Sequence, residues 1–295
     1  MCGIAGIQVR DPSLEPRLGE LLAVMLHQAA ERGPDSAGVA LYGDARLTPP
    51  GHAAVSLTGL RVPAAEATAR LGGDADAVAA GQALVVRSAT LSTEELEQTV
   101  RRTFPEAVVT GRGSGLAVLK GVGHPDTLIE EFALRRAAGR QGVVHTRMAT
   151  ESAVTPEAAH PFSVGGNVCL VHNGSFANHA TIRRELLAEG ALFDSDNDSE
   201  VGARFIARQL AQGADLEKSL RLLCERFDGF YTLLVTTGDS FAVVRDAIAC
   251  KPAVVAETDA WVAMASEYRC LAALPGIESA RIFEPEPERV YLWQH

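Results

Sequence analysis

Between residues 143 and 293 the chain carries six short, almost wholly apolar runs: VVHTR (143–147), VCLVHN (168–173), YTLLVTT (231–237), FAVVRD (241–246), WVAMAS (261–266) and RVYLW (289–293). Runs of this length, rich in β-branched residues, predict buried strands. Three helical stretches lie between them, from Asn178 to Gly190, from Asp198 to about Gly213 and from Asp215 to about Arg226, each with a capping residue in front. Two layers of strands with helices outside them are the natural way to bury so many apolar strands.

The N-terminal part reads similarly. IAGIQV (4–9) predicts a strand that begins almost at the first residue, and VALY (39–42) another. Between them Leu14, Leu18, Leu21, Leu22, Met25 and Leu26 form the stripe of a helix over about 14–32, with Ser13 as cap and Gly33 as stop. Residues 46–140 are alanine-rich and alternate strand-like with helix-like runs. ALVVRSATL (83–91) and GLAVLKG (115–121) predict strands; Ser92 or Thr93 caps a helix through Thr103, and 125–139 predicts another helix. The stretch reads as an α/β insertion at about 46–140 within one domain spanning 1–295. Gly111, Gly113 and Gly115 are read as a tight turn into the next strand, because no helix follows to make a phosphate site.

Charge and cysteine usage exclude several classes. Lys plus Arg is 27 against 37 Asp plus Glu, a net charge of −10, which offers no footprint for nucleic acid or an anionic membrane. No apolar run approaches a membrane span, and the first residues lack the pattern of a signal peptide. Five cysteines, Cys2, Cys169, Cys224, Cys250 and Cys270, form no C-x-x-C pair and read as reduced thiols. A cytoplasmic location is expected.

Position 2 carries the sharpest chemical signal. Removal of Met1 would leave Cys2 with a free α-amine, whose ordinary pKa of about 7.7–8.0 lies close to the thiol's value of about 8.5. The amine can then take the thiol proton, so one residue supplies nucleophile and base. Taken alone, an early cysteine reads first as an incidental residue or a small buried hydrophobe. Its surroundings decide. CGIAGI (2–7), RGPDSAG (32–38), HTRMAT (145–150), HPF (160–162), HNGS (172–175) and NDSE (197–200) follow in that order, with FDGFY (227–231), RDAIACKP (245–252) and ASEYR (265–269) beyond them. This series resembles the class II glutamine amidotransferases of the N-terminal-nucleophile hydrolase superfamily. The long segment before HTRMAT and the RDAIACKP stretch look most like the small amidotransferase subunit of glutamate-synthase-like and N-methylglutamate-synthase-like complexes.

The resemblance implies an α+β fold, a four-layer αββα sandwich of N-terminal-nucleophile hydrolase type, with the 46–140 insertion as an elaboration. It also implies roles. Cys2 attacks the glutamine side-chain amide; Asn173 and the Gly174 N–H supply donors for the oxyanion, although Asn-Gly is also a good turn. Arg147 offers a planar fork for the substrate carboxylate or, alternatively, pairs with a core carboxylate. Asp198 accepts the substrate ammonium or caps a helix, and the two roles can coexist. Arg32 holds the N-terminal strand or the substrate loop, Asp35 shapes the turn, and the Thr150 hydroxyl lines the pocket. His145, His160 and His172 are read as structural hydrogen-bonders, not zinc ligands, since no carboxylate accompanies them at ligand spacing. Met148 and Glu151 stand where many relatives carry Trp and His, which alters the pocket wall. No metal, nucleotide or flavin is expected in this chain. The ammonia is expected to pass to a flavin-containing synthase subunit, with FMN and an iron–sulfur cluster there, in a hetero-oligomer. The alternatives are an independent amidohydrolase acting on γ-glutamyl amides and a non-catalytic regulatory subunit.

Overall fold

The computed structural model describes residues 2–148, 155–156 and 158–295. Two sheets lie face to face. The first has seven strands, in the order Arg281–Phe283, Val254–Glu257, Trp261–Ala265, Gly3–Val9, Gln141–Arg147, Ser36–Tyr42 and Leu116–Val122. The second has five: Tyr291–Gln294, Ser240–Arg245, Gly229–Thr236, Val168–Phe176 and Phe162–Gly165. All their pairings are antiparallel.

Side-chain alternation distributes each strand between two cores. From the first sheet Ile4, Tyr42, Val118 and Val143 face Val171, Leu234, Phe241 and Val243 of the second. Gly6 permits this approach, since a Cβ there would stand 2.7 Å from Leu234 Cδ2. On the opposite face Ala5, Ile7 and Val9 pack on Leu18, Leu22, Met25 and Leu26 of the helix Leu18–Ala29. The outer face of the second sheet, including Leu170, Leu233 and Val244, is covered by Val201, Phe205, Ile206, Leu216, Leu220 and Leu223. Those residues come from the helices Asp198–Ala211 and Leu216–Arg226. Each fully buried aliphatic contributes roughly 1.5–3 kcal/mol. The layers are helix, sheet, sheet, helix, the αββα sandwich.

A third antiparallel sheet, Asp76–Ala80, Ala83–Ser88, Ala53–Thr58 and Val108–Ser114, stands beside the sandwich. Leu96 and Val100 of the helix Thr93–Thr103 close its core over Val55, Leu57 and Val86. Ser92 caps that helix in a reciprocal box with Glu95. The Leu116–Val122 strand belongs to the seven-stranded sheet, so the third sheet takes residues 53–114 and not the whole of 46–140. Its pairing is antiparallel throughout.

Three local expectations are corrected. The helix over 14–32 is in three pieces: a 3₁₀ segment Pro12–Arg17, the α-helix Leu18–Ala29 and a 3₁₀ turn Ala30–Arg32. Asp11, not Ser13, is the first cap, because its carboxylate accepts the Ser13 N–H at 2.9 Å, and Pro16 has no N–H to extend an α-helix backward. The helix over 125–139 stops at Glu131; Ala133 takes φ +48° and a 3₁₀ turn follows at Leu134–Arg136. Of the three glycines, only Gly115 makes the turn, at φ +68°. Gly111 and Gly113 lie within the Val108–Ser114 strand, where a Cβ would meet Val118 at 2.5 Å and Asn167 Oδ1 at 2.3 Å.

Candidate active site

Cys2 immediately precedes the Gly3–Val9 strand, whose ladders on both sides fix its start. Arg32, itself buried, donates from Nε to the Cys2 carbonyl at 3.0 Å, and its Nη1 is ion-paired with Glu267. Of the two roles expected for Arg32, this is the holding of the N-terminal strand. Burial works against the Glu267 carboxylate, yet Arg32 and Arg269 hold it below its ordinary range.

Gly3 pairs with Thr146, so Arg147 ends its strand beside Cys2. Arg147 is buried and its Nη1 reaches the Ala158 carbonyl at 3.4 Å. The RGPD turn packs on that strand end: a Cβ on Gly33 would lie 2.5 Å from the Arg147 carbonyl carbon, and the Asp35 N–H donates to the Arg147 carbonyl at 3.1 Å. Asp35 therefore does shape the turn.

The facing sheet supplies Asn173 and Gly174, opposite Thr232 and Tyr231 in the ladder. Gly174 has φ +149°, and a Cβ there would lie 2.0 Å from the Phe230 carbonyl oxygen, so no other residue fits. Asn173 is 3% exposed and its Nδ2 has no hydrogen-bond partner among the described residues. A buried amide donor left open is costly unless a ligand meets it.

Asp198 opens the helix Asp198–Ala211, which Asn197 caps by accepting the Ser199 N–H at 2.9 Å. The cap is thus Asn197, and Asp198 is freed for other contacts. Its Oδ2 accepts the Phe176 N–H at 2.8 Å, tying helix to strand, and its Oδ1 lies 3.2 Å from the Ser199 hydroxyl. Ser199 Oγ also meets His160 Nε2 at 2.9 Å and His172 Nδ1 at 2.8 Å. One hydroxyl has one proton and two lone pairs. With that proton on Asp198, both imidazoles donate to Ser199, leaving His160 Nδ1 and His172 Nε2 bare, and neither atom has a partner among the described residues. His145 Nε2 meets the His172 carbonyl at 3.3 Å and its ring stacks on His160 with centroids 4.0 Å apart. Burial pushes His145 down to about 3 and His160 well below the ordinary value; it also lowers His172, against the pull of Asp198. All three are neutral structural hydrogen-bonders near pH 7.

These elements enclose a cleft of about 240 Å³ lined by Cys2, Arg147, Met148, His160, His172, Asn173, Gly174, Asn197, Asp198 and Lys251. Five of the expected site residues therefore meet in one cavity. Arg32 acts one step behind it, and Thr150 and Glu151 lie outside the described residues. Lys251 and Asn197 are lining residues that the sequence did not assign. Lys251 stands in the RDAIACKP motif, whose loop is fastened by Arg245 through the carbonyls of Ala249 and Lys251. The arrangement brings a thiol, a guanidinium, a carboxylate and a buried amide donor around one small ligand volume. That set suits attack on an amide whose substrate carries both charges of an amino acid.

Residues 145–273 match a family described as a glutamine amidotransferase domain. A glutamine amidotransferase-like protein, GlxB, of Rhizobium meliloti (strain 1021) is 45% identical over 300 residues, covering 100% of this chain and 99% of that one. A putative glutamine amidotransferase of Methanothermobacter thermautotrophicus is 28% identical over 305 residues, covering 99% of both. Among solved structures, the glutamine phosphoribosylpyrophosphate amidotransferase of B. subtilis matches 99% of this chain with a TM-score of 0.64 at 18% identity, a likeness of fold. This chain spans 47% of that structure's length.

Proposed function

The chain belongs to the class II glutamine amidotransferases, and from that premise we propose that it releases ammonia from glutamine through a Cys2 thioester and delivers it to a partner synthase subunit. Once Met1 is removed, the Cys2 amine takes the thiol proton and the sulfur attacks the side-chain carbonyl. A C–S bond forms, the oxygen becomes an anion, and Asn173 Nδ2 with the Gly174 N–H receives it. Collapse breaks the C–N bond, and the proton held by the Cys2 amine leaves with ammonia. Water then cleaves the γ-glutamyl thioester to glutamate and restores the thiol. Arg147 takes the substrate carboxylate and Asp198 its ammonium. The observation that carries this reading is the buried Asn173 amide, without a partner among the described residues, in the same cleft as Cys2.

The delivery step draws support from the surface. Val122, Met148, Phe230, Ile248 and Tyr268 are five of the eight large apolar side chains exposed among the described residues. All stand at the cleft end of the sheets: Val122 opposite Ser36, which pairs with Arg147, Phe230 opposite Ser175, and Tyr268 next to Arg32's partner Glu267. An apolar rim of this kind fits a protein partner. The partner is a cytoplasmic, glutamate-synthase-like subunit carrying FMN and an iron–sulfur cluster, as in N-methylglutamate-synthase-like complexes. A second reading, independent hydrolysis of a substituted γ-glutamyl amide, draws on the flexible Met148 in the cleft wall.

Intact mass should show loss of Met1, and an electrophilic glutamine analogue should label Cys2 alone among the five thiols. Labelling elsewhere overturns the nucleophile. Glutamate release by the pure chain should be slow and should accelerate in the reconstituted complex; full turnover by the chain alone favours the independent amidohydrolase.

A further inference from the structure

The segment that leads into Asp198 is held from two sides. Glu200, 2% exposed, accepts the N–H groups of Asp194 at 2.9 Å and Ser195 at 2.7 Å, and the Ser195 hydroxyl at 2.7 Å. Arg204 completes it with Nε at 2.8 Å from Glu200 and Nη2 at 3.0 Å from Asp194. Those residues belong to the sandwich. The other side is the third sheet. Arg101 Nη2 and Arg112 Nη2 each lie 2.7 Å from Asp194, on Oδ1 and Oδ2, and Glu97 receives both arginines, at 2.9 and 2.7 Å. Glu97 and Arg101 stand on the helix Thr93–Thr103 and Arg112 on the strand Val108–Ser114.

This is a network, not a surface pair. The Arg112 and Arg204 side chains are each 11% exposed, so solvent screens them weakly. Burial works against the Asp194 carboxylate, yet Arg112, Arg101 and Arg204 hold it below its ordinary range. Removing Arg112 would leave Glu97 with Arg101 alone and Asp194 with Arg101 and Arg204, and taking a cation away from partly buried carboxylates is costly. The segment bearing Asp194 would move, and two and three residues beyond Ser195 come Asn197 and Asp198, both in the cleft wall.

We infer that Arg112 and Asp194 are positioning residues for substrate binding, and that the third sheet braces the site that receives the α-ammonium of glutamine. The inference rests on the assignment of Asp198 above. It gives the 53–114 region a part in substrate binding without any contact with substrate: it sets where Asn197 and Asp198 stand, while Cys2, Asn173 and Gly174 are fixed by the two sheets.

The test separates binding from chemistry. In a Cys2→Ala background, glutamine binding is measured by calorimetry, with Arg112→Ala, Asp194→Asn, Arg112→Lys and Arg87→Ala added in turn. Arg87 pairs with Asp76 within the third sheet, at 2.8 Å, and serves as the control for general loosening. Arg112→Ala and Asp194→Asn should each weaken glutamine about tenfold, Arg112→Lys should recover part of that, and Arg87→Ala should change it less than twofold. In the active enzyme the same changes should appear in KM, with kcat within about twofold. Unchanged affinity in Arg112→Ala and Asp194→Asn, equal weakening by Arg87→Ala, or a loss confined to kcat overturns the brace. If Arg112→Ala does not fold, Asp194→Asn, which keeps the side-chain shape, decides alone. A parent that neither binds nor hydrolyses glutamine overturns the amidotransferase reading itself, and the brace with it.

Discussion

Acidification from pH 7.5 to 5.5 should destabilise this fold by about 3 kcal/mol through two histidines alone. His145 and His160 are buried in a stack beneath the cleft. Burial holds His145 down to about 3 and His160 well below its ordinary value, and the nearby Lys120 and Arg147 add to the effect on both. In the unfolded chain each returns to about 6.5. As the pH falls through 6.5 the unfolded state takes up protons that the folded state refuses, so stability is complete above that value and drains away toward the folded pKa. Between pH 7.5 and 5.5 each histidine shifts the folding equilibrium roughly tenfold, and the pair roughly a hundredfold, about 3 kcal/mol. Carboxylates with ordinary values near 4 stay ionised in both states over this window and contribute little. Urea unfolding at the two pH values, followed through the fully buried Trp261, measures the loss. His145→Gln and His160→Gln cannot take up a proton, so each should flatten the pH dependence by about one factor of ten. A wild-type loss below about 1 kcal/mol, or variants with undiminished pH dependence, would refute the neutral buried stack.

Two further outcomes are expected. Arg147→Ala and Asp198→Ala should raise the KM for glutamine strongly, whereas Asn173→Ala should mainly lower kcat, by about 10²–10³, if its amide serves the oxyanion as proposed; steady-state kinetics with equal, small effects from all three would place the site elsewhere. Gly38→Ala should destabilise by about 1–3 kcal/mol in urea unfolding, because the new Cβ would stand 2.1 Å from the His160 carbonyl oxygen in a strand that cannot move aside.

The sandwich was legible because its long central strands are buried on both faces and so read as unbroken apolar runs. Three of the shortest strands were not. Phe162–Gly165, Val254–Glu257 and Arg281–Phe283 have only three or four residues each, too few to display a period. The helix over 125–139 was misread for a different reason. Its composition favours a helix, but the Gly19 N–H of the opposite helix donates to the Ala137 carbonyl at 2.9 Å, and a Cβ at Gly19 would lie 2.0 Å from the Leu134 carbonyl oxygen. A tertiary backbone contact of that closeness outweighs intrinsic propensity, and nothing local announces it.

The site divides in the same way. Cys2, Arg147, Asn173, Gly174 and Asp198 could be named because they stand in short motifs whose order resembles that of a known family. Their adjacency could not be read, because it is a matter of register between strands well over a hundred residues apart in sequence. The pairing of Gly3 with Thr146 brings Arg147 beside Cys2. A slip of one residue would send alternate side chains to the wrong face. Two glycines guard against that slip. Gly6 leaves room on the inner face for Leu234, and Gly142, paired with Ile7, leaves room on the outer face for Leu22, where a Cβ would stand 2.5 Å from Cδ1. Any neighbouring register carries a side chain into one of these spaces. The geometry of the proposed site is therefore specified by residues that take no part in the proposed chemistry, and a sequence motif records only its visible end.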